Sequence, residues 1–154
     1  MKENQLDAID TRILEELTTD ARIPLVQLAK KLKVSNTLVH QRVGRLKERG
    51  FLKQAVYRVD PLKLGYETSA YILIIINHPR DHQKVEEKLK EIPEIVECHN
   101  IVGRYELMVK IYARNNRHLR EIIYEKIQPI AEIEGTNTMI SFETVFQRSL
   151  PVGL

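Results

Sequence analysis

The hydrophobic period of this chain changes once, and that change restricts it to two units of different architecture. Up to about residue 60, apolar residues recur at steps of three and four, the spacing of a single buried helix face. Leu6, Ile9, Ile13, Leu14 and Leu17 mark a first helix. Asp7 or Asp10 supplies negative charge to its first turn, where the helix dipole favours it. Pro24 opens a second helix, with Leu25, Leu28, Ala29 and Leu32 at i, i+3, i+4 and i+7. After the short connection Lys33-Val34, Ser35 is a good N-cap for a third helix running from about Asn36 to Arg49, and Gly50 suits its end. Three short helices with a tight turn between the second and third form a helix-turn-helix pattern, the expected first domain over residues 1–50.

Residues 51–65 read as a linker strand, extended from Phe51 to Asp60 and stopped by Pro61 and Gly65. The second domain is then expected over residues 66–154. Ala70–Ile76 is an apolar strand and His82–Ile92 a helix with Val85, Leu89 and Ile92 on one side. Ile95–Val102 and Tyr105–Tyr112 read as strands joined by a turn at Gly103-Arg104. Asn116–Gln128 is a helix stopped by Pro129, and Thr136–Phe146 a last strand with Ile140, Phe142, Thr144 and Phe146 sharing a face. Strand, helix, strand, strand, helix, strand is the ferredoxin-like βαββαβ order, so the class is α+β. Ala70–Ile76 is apolar on both faces, whereas two helices cover only one face of a sheet. The other face needs a partner, and a second copy in a symmetric dimer is the simplest one.

The net charge of +3 is modest, but its distribution is not even. Residues 1–60 hold 12 Lys/Arg and 8 Asp/Glu (12 − 8 = +4), and residues 61–154 hold 12 and 13 (12 − 13 = −1). Within Lys30–Lys53, eight basic residues face Glu48 alone (8 − 1 = +7). Positive charge concentrated on one helical segment is the footprint of a polyanion site. Read by angle, Val39, Val43 and Leu46 turn to the core, Thr37, Gln41, Gly44 and Glu48 lie opposite, and His40 and Arg45 flank them. That arrangement suits the DNA major groove. Gln41 can pair with adenine, His40 and Arg45 can donate to guanine, and Thr37 can take either role. Arg42, nearer the core edge, and Lys30, Lys31 and Lys33 would reach phosphates, as would the helix-start amides around Ser35, Asn36 and Thr37. The expected partner is double-stranded DNA.

Here the sequence resembles a family. Leu6-Asp7 with Ile9-Asp10, Ile13-Leu14, Asp20-Ala21-Arg22, Leu28-Ala29, Val34-Ser35 and Val39…Arg42-Val43…Leu46 are similar to the DNA-binding half of the Lrp/AsnC (feast/famine) transcription regulators. Val59-Asp60-Pro61 with Leu64-Gly65-Tyr66 resembles that family's linker. Val102-Gly103-Arg104-Tyr105-Glu106 resembles the Gly-x-Tyr-Asp turn of its regulatory domain, and Glu134-Gly135 before Thr138 its final strand. The resemblance implies a winged helix-turn-helix followed by an ACT-like (RAM) regulatory domain. It also implies dimers that can assemble into octamers, and a small effector, such as an amino acid, bound between dimers near Gly103, Arg104, Tyr105 and Glu106. Thr138 could add a hydroxyl to that site if the last strand lies alongside. Glu106 stands where the family usually has aspartate.

Other chemistry has little to stand on. Cys98 alone cannot form an internal disulfide, and His78, His82 and Cys98-His99 lack accompanying ligands at metal spacing. No phosphate loop, nucleophile elbow or dinucleotide fingerprint occurs, so neither cofactor nor metal is expected. Met1–Asp10 lacks the apolar run of a signal peptide, and Ala70–Ile76 is too short to span a bilayer, so a cytoplasmic protein without a membrane segment is expected. Two alternatives use the same elements: a helix-turn-helix that holds another protein, and a tetrapyrrole (haem-pathway) decarboxylase of similar two-domain arrangement. The basic third helix fits both less well.

Overall fold

In the computed structural model, which describes residues 6–152, the chain divides into a helical unit and a sheet unit. The first five residues of the expected signal-free N-terminus lie outside the described residues.

The helical unit contains α1 (Ala8–Thr19), α2 (Leu25–Leu32) and α3 (Asn36–Glu48). Asp7 caps α1 through a reciprocal box, its carboxylate accepting from the Ile9 and Asp10 amides at 2.9 and 2.8 Å. The α2–α3 turn is set by Lys33, whose φ of 56° places a non-glycine residue in the left-handed region. Ser35 then caps α3 by accepting from the Leu38 amide at 3.1 Å. Ile13, Leu14, Leu28, Ala29, Leu32, Val39, Val43 and Leu46 form one buried cluster, as the three-four spacing requires.

Two expectations fail here. Residues 53–60 form no strand, and the described residues show no β-wing after α3. A strand requires a neighbour to complete its hydrogen bonds, and among the described residues no segment forms a ladder with these; Val56, Tyr57 and Val59 stand exposed. Residues 146–152, expected to continue the second domain, instead group with the helical unit. Val152 packs against its core, and the Ser149 hydroxyl donates to the Thr18 carbonyl at 3.5 Å.

The sheet unit contains β1 (Thr68–Ile76), α4 (His82–Lys90), β2 (Ile95–Asn100), β3 (Leu107–Ala113), α5 (Asn116–Glu121) and β4 (Ile133–Ser141). The sheet is antiparallel in the order β2-β3-β1-β4, the ferredoxin-like topology. Alternate residues of β1, Ala70, Ile72, Ile74 and Ile76, pack beneath the helices with Val85, Leu89, Leu119, Ile122 and Ile127. The opposite face, including Tyr71, Leu73, Ile75, Met108 and Tyr112, stays half-exposed.

Three boundaries differ from the sequence reading. The turn after β2 is a six-residue loop, 101–106, rather than Gly103-Arg104 alone. The helix beginning at Asn116 widens after Glu121 into a π-helical stretch, Ile122–Ile127, closed by an i→i−5 bond from the Gln128 amide to the Ile123 carbonyl at 2.8 Å. The last strand starts at Ile133 and stops at Ser141, pairing along β1 from Ile76 back to Ser69. Phe142 and Phe146 therefore lie beyond it and are exposed.

Candidate functional site

The face of α3 opposite its buried stripe carries the residues that the angular reading selected. Val39, Val43 and Leu46 are buried, while Asn36, Thr37, His40, Gln41 and Arg45 are exposed. Among the described residues, Thr37, His40, Gln41 and Arg45 engage no other side chain, so their donors and acceptors face solvent. Gly44 lies on this side, and a Cβ built there would meet nothing within 4 Å. Ser35 is exposed but uses its hydroxyl as the helix cap.

The cations divide into two sets. Lys30, Lys33, Arg45 and Lys47 have no carboxylate partner among the described residues. Lys31, expected on a phosphate, donates to Glu16 of α1 at 2.5 Å. Arg42, also expected on a phosphate, is turned inward instead: one guanidinium nitrogen donates to Asp7 and, at 3.2 Å, to the buried Asp10. The Asp10 backbone amide holds the Asp7 carboxyl below the usual carboxylate range; burial opposes it, and bonding and charge from Arg42 lower it further. Bonding to Asp7 in turn raises the Arg42 guanidinium above its ordinary value. Nothing in a single sequence signals a pair separated by 35 positions.

In the sheet unit, four of the five expected effector residues, Gly103, Arg104, Tyr105 and Glu106, share the loop 101–106, and Thr138 lies apart on β4. Gly103, with φ +149°, and Arg104 are exposed in the loop; the Arg104 guanidinium lies 5.7 Å from the Tyr105 ring centre. The Tyr105 hydroxyl accepts from the Asn137 side-chain amide at 3.1 Å. Glu106 is bound into the sheet at both ends. Its amide donates to the Ile74 carbonyl at 3.0 Å, and its Oε2 accepts from the Ile76 amide at 3.0 Å. The carboxylate thus satisfies a β1 donor beyond the last residue of the β1–β3 ladder.

Thr138 is on the other side. Side chains alternate along β4, and Asn137 is the residue that meets Tyr105. Thr138 lines a cleft of about 390 Å³ beneath the helices with Arg120, Tyr124, Gln128 and Thr136. Asn137 is the loop's neighbour that the sequence reading missed; only the register of β4 on β1 could have selected it. Among the described residues no group of three or more His, Cys, Asp or Glu side chains could hold a metal, and no helix is long and apolar enough to cross a membrane.

Residues 6–47 match the model of the AsnC-type helix-turn-helix domain, and residues 69–151 that of the Lrp/AsnC ligand binding domain. The chain is 34% identical over 147 residues to the regulatory protein AsnC of Haemophilus influenzae, covering 96% of this chain and 98% of that one. Among solved structures it is similar to Escherichia coli AsnC, with a TM-score of 0.90 and 32% identity over 96% of this chain and 99% of the other. It is also similar to a feast or famine regulatory protein from M. tuberculosis complexed with L-methionine, with a TM-score of 0.89 and 26% identity over 97% of this chain and 100% of that one. An exposed, cationic third helix joined to a four-stranded ferredoxin-like sheet defines a DNA-binding transcription regulator of the helix-turn-helix class. Within that class, the chain belongs to the Lrp/AsnC family. The decarboxylase and protein-interaction alternatives find no support among these relatives.

Proposed function

We propose that α3 enters the major groove of double-stranded DNA, with Thr37, His40, Gln41 and Arg45 reading base edges and Lys30 and Lys33 holding phosphates. One observation carries this reading: Thr37, His40, Gln41 and Arg45 on the outer face of α3 have no side-chain partner among the described residues, while the opposite face is buried. The amides at the start of α3, around Ser35, Asn36 and Thr37, can hold a further phosphate. Lys31 and Arg42 bond to carboxylates at α1, Lys31 to Glu16 and Arg42 to Asp7. Such a protein works in the cytoplasm, where the chromosome is accessible. The half-exposed sheet face, rich in Tyr, Leu, Ile and Met, suits a second copy, so the working form is a dimer or a larger closed assembly.

The second unit responds to a small molecule, with a free amino acid as the first class to test. A structural relative is complexed with L-methionine. The exposed Arg104 and loop amides suit a carboxylate. Thr138 lies on the opposite face of β4 from that loop, so a site using both is completed by another copy.

Selection of duplexes from a randomised pool, followed by binding across a salt series, tests the DNA reading. The selected duplex is expected to bind with an affinity that falls steeply as salt rises. Gln41→Ala should lose about 1–3 kcal/mol of discrimination at one base pair. Lys30→Ala should weaken all sequences alike and lower the salt slope by about one. Binding that ignores salt and both substitutions would overturn the reading.

A further inference from the structure

Arg42 occupies an unusual place for a basic residue on a DNA-reading helix. It follows directly behind the outward-facing Gln41 and precedes the buried Val43, and its side chain reaches back to the first turn of α1. Asp7 meets it while also capping α1 with its other oxygen, which accepts from Ile9 and Asp10 at 2.9 and 2.8 Å. Asp10 meets it from within the core, where only 4% of the residue is exposed. Both carboxylates therefore belong to a rigid element, and the arginine belongs to the helix that must be aimed.

We infer that Arg42, held by Asp7 and Asp10, is a positioning residue that fixes the rotation of α3 about its own axis and so sets which side chains meet the bases. The inference rests on the DNA-binding reading above. The shared core of Val39, Val43 and Leu46 holds α3 against its neighbours, but apolar contact is non-directional. A guanidinium bonded to two carboxylates is directional, and at the edge of the apolar stripe it resists the rotation of α3 that would carry Gln41 and Arg45 away from the bases. Base pairing through two hydrogen bonds tolerates only about 0.5 Å of misplacement. Because two carboxylates already neutralise Arg42, it adds nothing to phosphate binding. The largely buried Arg42–Asp10 contact adds little net stability, because desolvation offsets the Coulombic gain.

The test uses the whole 154-residue chain and a duplex selected against it from a randomised pool. Kd is measured for that duplex and for its single-base-pair variants across a salt series. The variants are Arg42→Lys, Asp10→Leu, Arg42→Met and the double substitution Arg42→Met with Asp10→Leu. Arg42→Met leaves Asp10 buried beside no cation and can fail to fold; the double variant removes both charges and so keeps the test open. Each folded variant is expected to lose about tenfold in discrimination between the selected duplex and its variants, the scale of one base contact. The salt slope is expected to stay at the wild-type value, and the double variant to lose no more than either single one. A slope lower by about one in the Arg42 variants, with Asp10→Leu discriminating like wild type, would make Arg42 a phosphate contact and overturn the inference. So would full discrimination in every folded variant, which reduces the pair to a purely structural role. If the wild-type chain itself selects no duplex, the DNA reading fails and takes the inference with it, an outcome distinguished by the failure of the unmutated protein.

Discussion

The outer face of α3 and the loop over residues 101–106 both carry polar side chains suited to a ligand, but only one of them is finished within a single chain. On α3, Thr37, His40, Gln41 and Arg45 have no side-chain partner among the described residues, while Ser35 and Arg42 are bonded to the protein. In the loop, the arrangement is reversed. Tyr105 and Glu106 are bonded to Asn137 and Ile76, while Arg104, its guanidinium near the Tyr105 ring, and Gly103 are exposed. A helix satisfies its own backbone, so its outward side chains remain available. A loop at a strand end uses its side chains to complete the sheet. The first region is ready for its ligand, whereas the second requires something from outside the chain.

The largest effects should come from the two cores, and they should separate the two regions cleanly. Leu28→Ala, at a position with no exposure, should cost roughly 2–5 kcal/mol in the helical unit. Ile72→Ala, equally buried, should cost the sheet unit a similar amount, roughly 2–5 kcal/mol. The two clusters share no residue. Leu28→Ala is therefore expected to abolish duplex binding while leaving the oligomer seen by light scattering, and Ile72→Ala to break that oligomer. Loss of both properties in both variants would show that the regions do not stand apart.

Much of the helical unit is legible in the sequence because its information is local. The buried stripe of each helix, the Ser35 cap and the stop at Gly50 all lie within a few positions of what they control. The Asp7–Asp10–Arg42 network was not legible, since its partners meet only after the three helices pack. In the sheet unit, the element order was readable from period alone, but register was not. Whether Thr138 or Asn137 meets the loop depends on a one-residue offset, which moves a side chain to the opposite face. Nor does local pattern reveal that residues 53–60 find no strand partner among the described residues, since Val56, Tyr57 and Val59 have the composition of a strand without its neighbour.

A smaller effect sharpens the reading of the loop. Glu106→Ala removes the acceptor for the Ile76 amide and should cost the sheet unit about 1 kcal/mol with no effector present. Glu106→Gln keeps an acceptor oxygen there and should retain most of that stability while losing the charge. A thermal-unfolding panel of the twenty amino acids at millimolar concentration then separates two roles. If an amino acid that stabilises the wild type also stabilises the Gln variant fully, Glu106 serves the fold and its charge plays no part in recognition. If the shift disappears in the Gln variant, the free oxygen contacts the ligand.

The smallest effect concerns Gly44, and it asks whether the open face of α3 is truly a docking face. Glycine inside a helix is less favourable than alanine by about 1 kcal/mol, because it has more backbone freedom to lose on folding. The structure shows no compensating need for it within the chain. Gly44 does not have a positive φ, and an added Cβ would meet nothing within 4 Å. In the free protein, Gly44→Ala should therefore raise stability by up to about 1 kcal/mol, seen as a higher denaturant midpoint with an unchanged slope. DNA changes the expectation. Gly44 lies on the same face as Gln41 and Thr37, so a duplex seated there brings its backbone or base edges close to this position. A methyl group would then hold the helix away from the groove and weaken binding even as the protein becomes more stable. Opposite signs for stability and affinity in one variant are the expected result, and a folding defect cannot imitate them. If Gly44→Ala stabilises the protein and binds the selected duplex as well as wild type, the groove contact ends before this turn of the helix, and base reading belongs to Thr37, His40 and Gln41 alone.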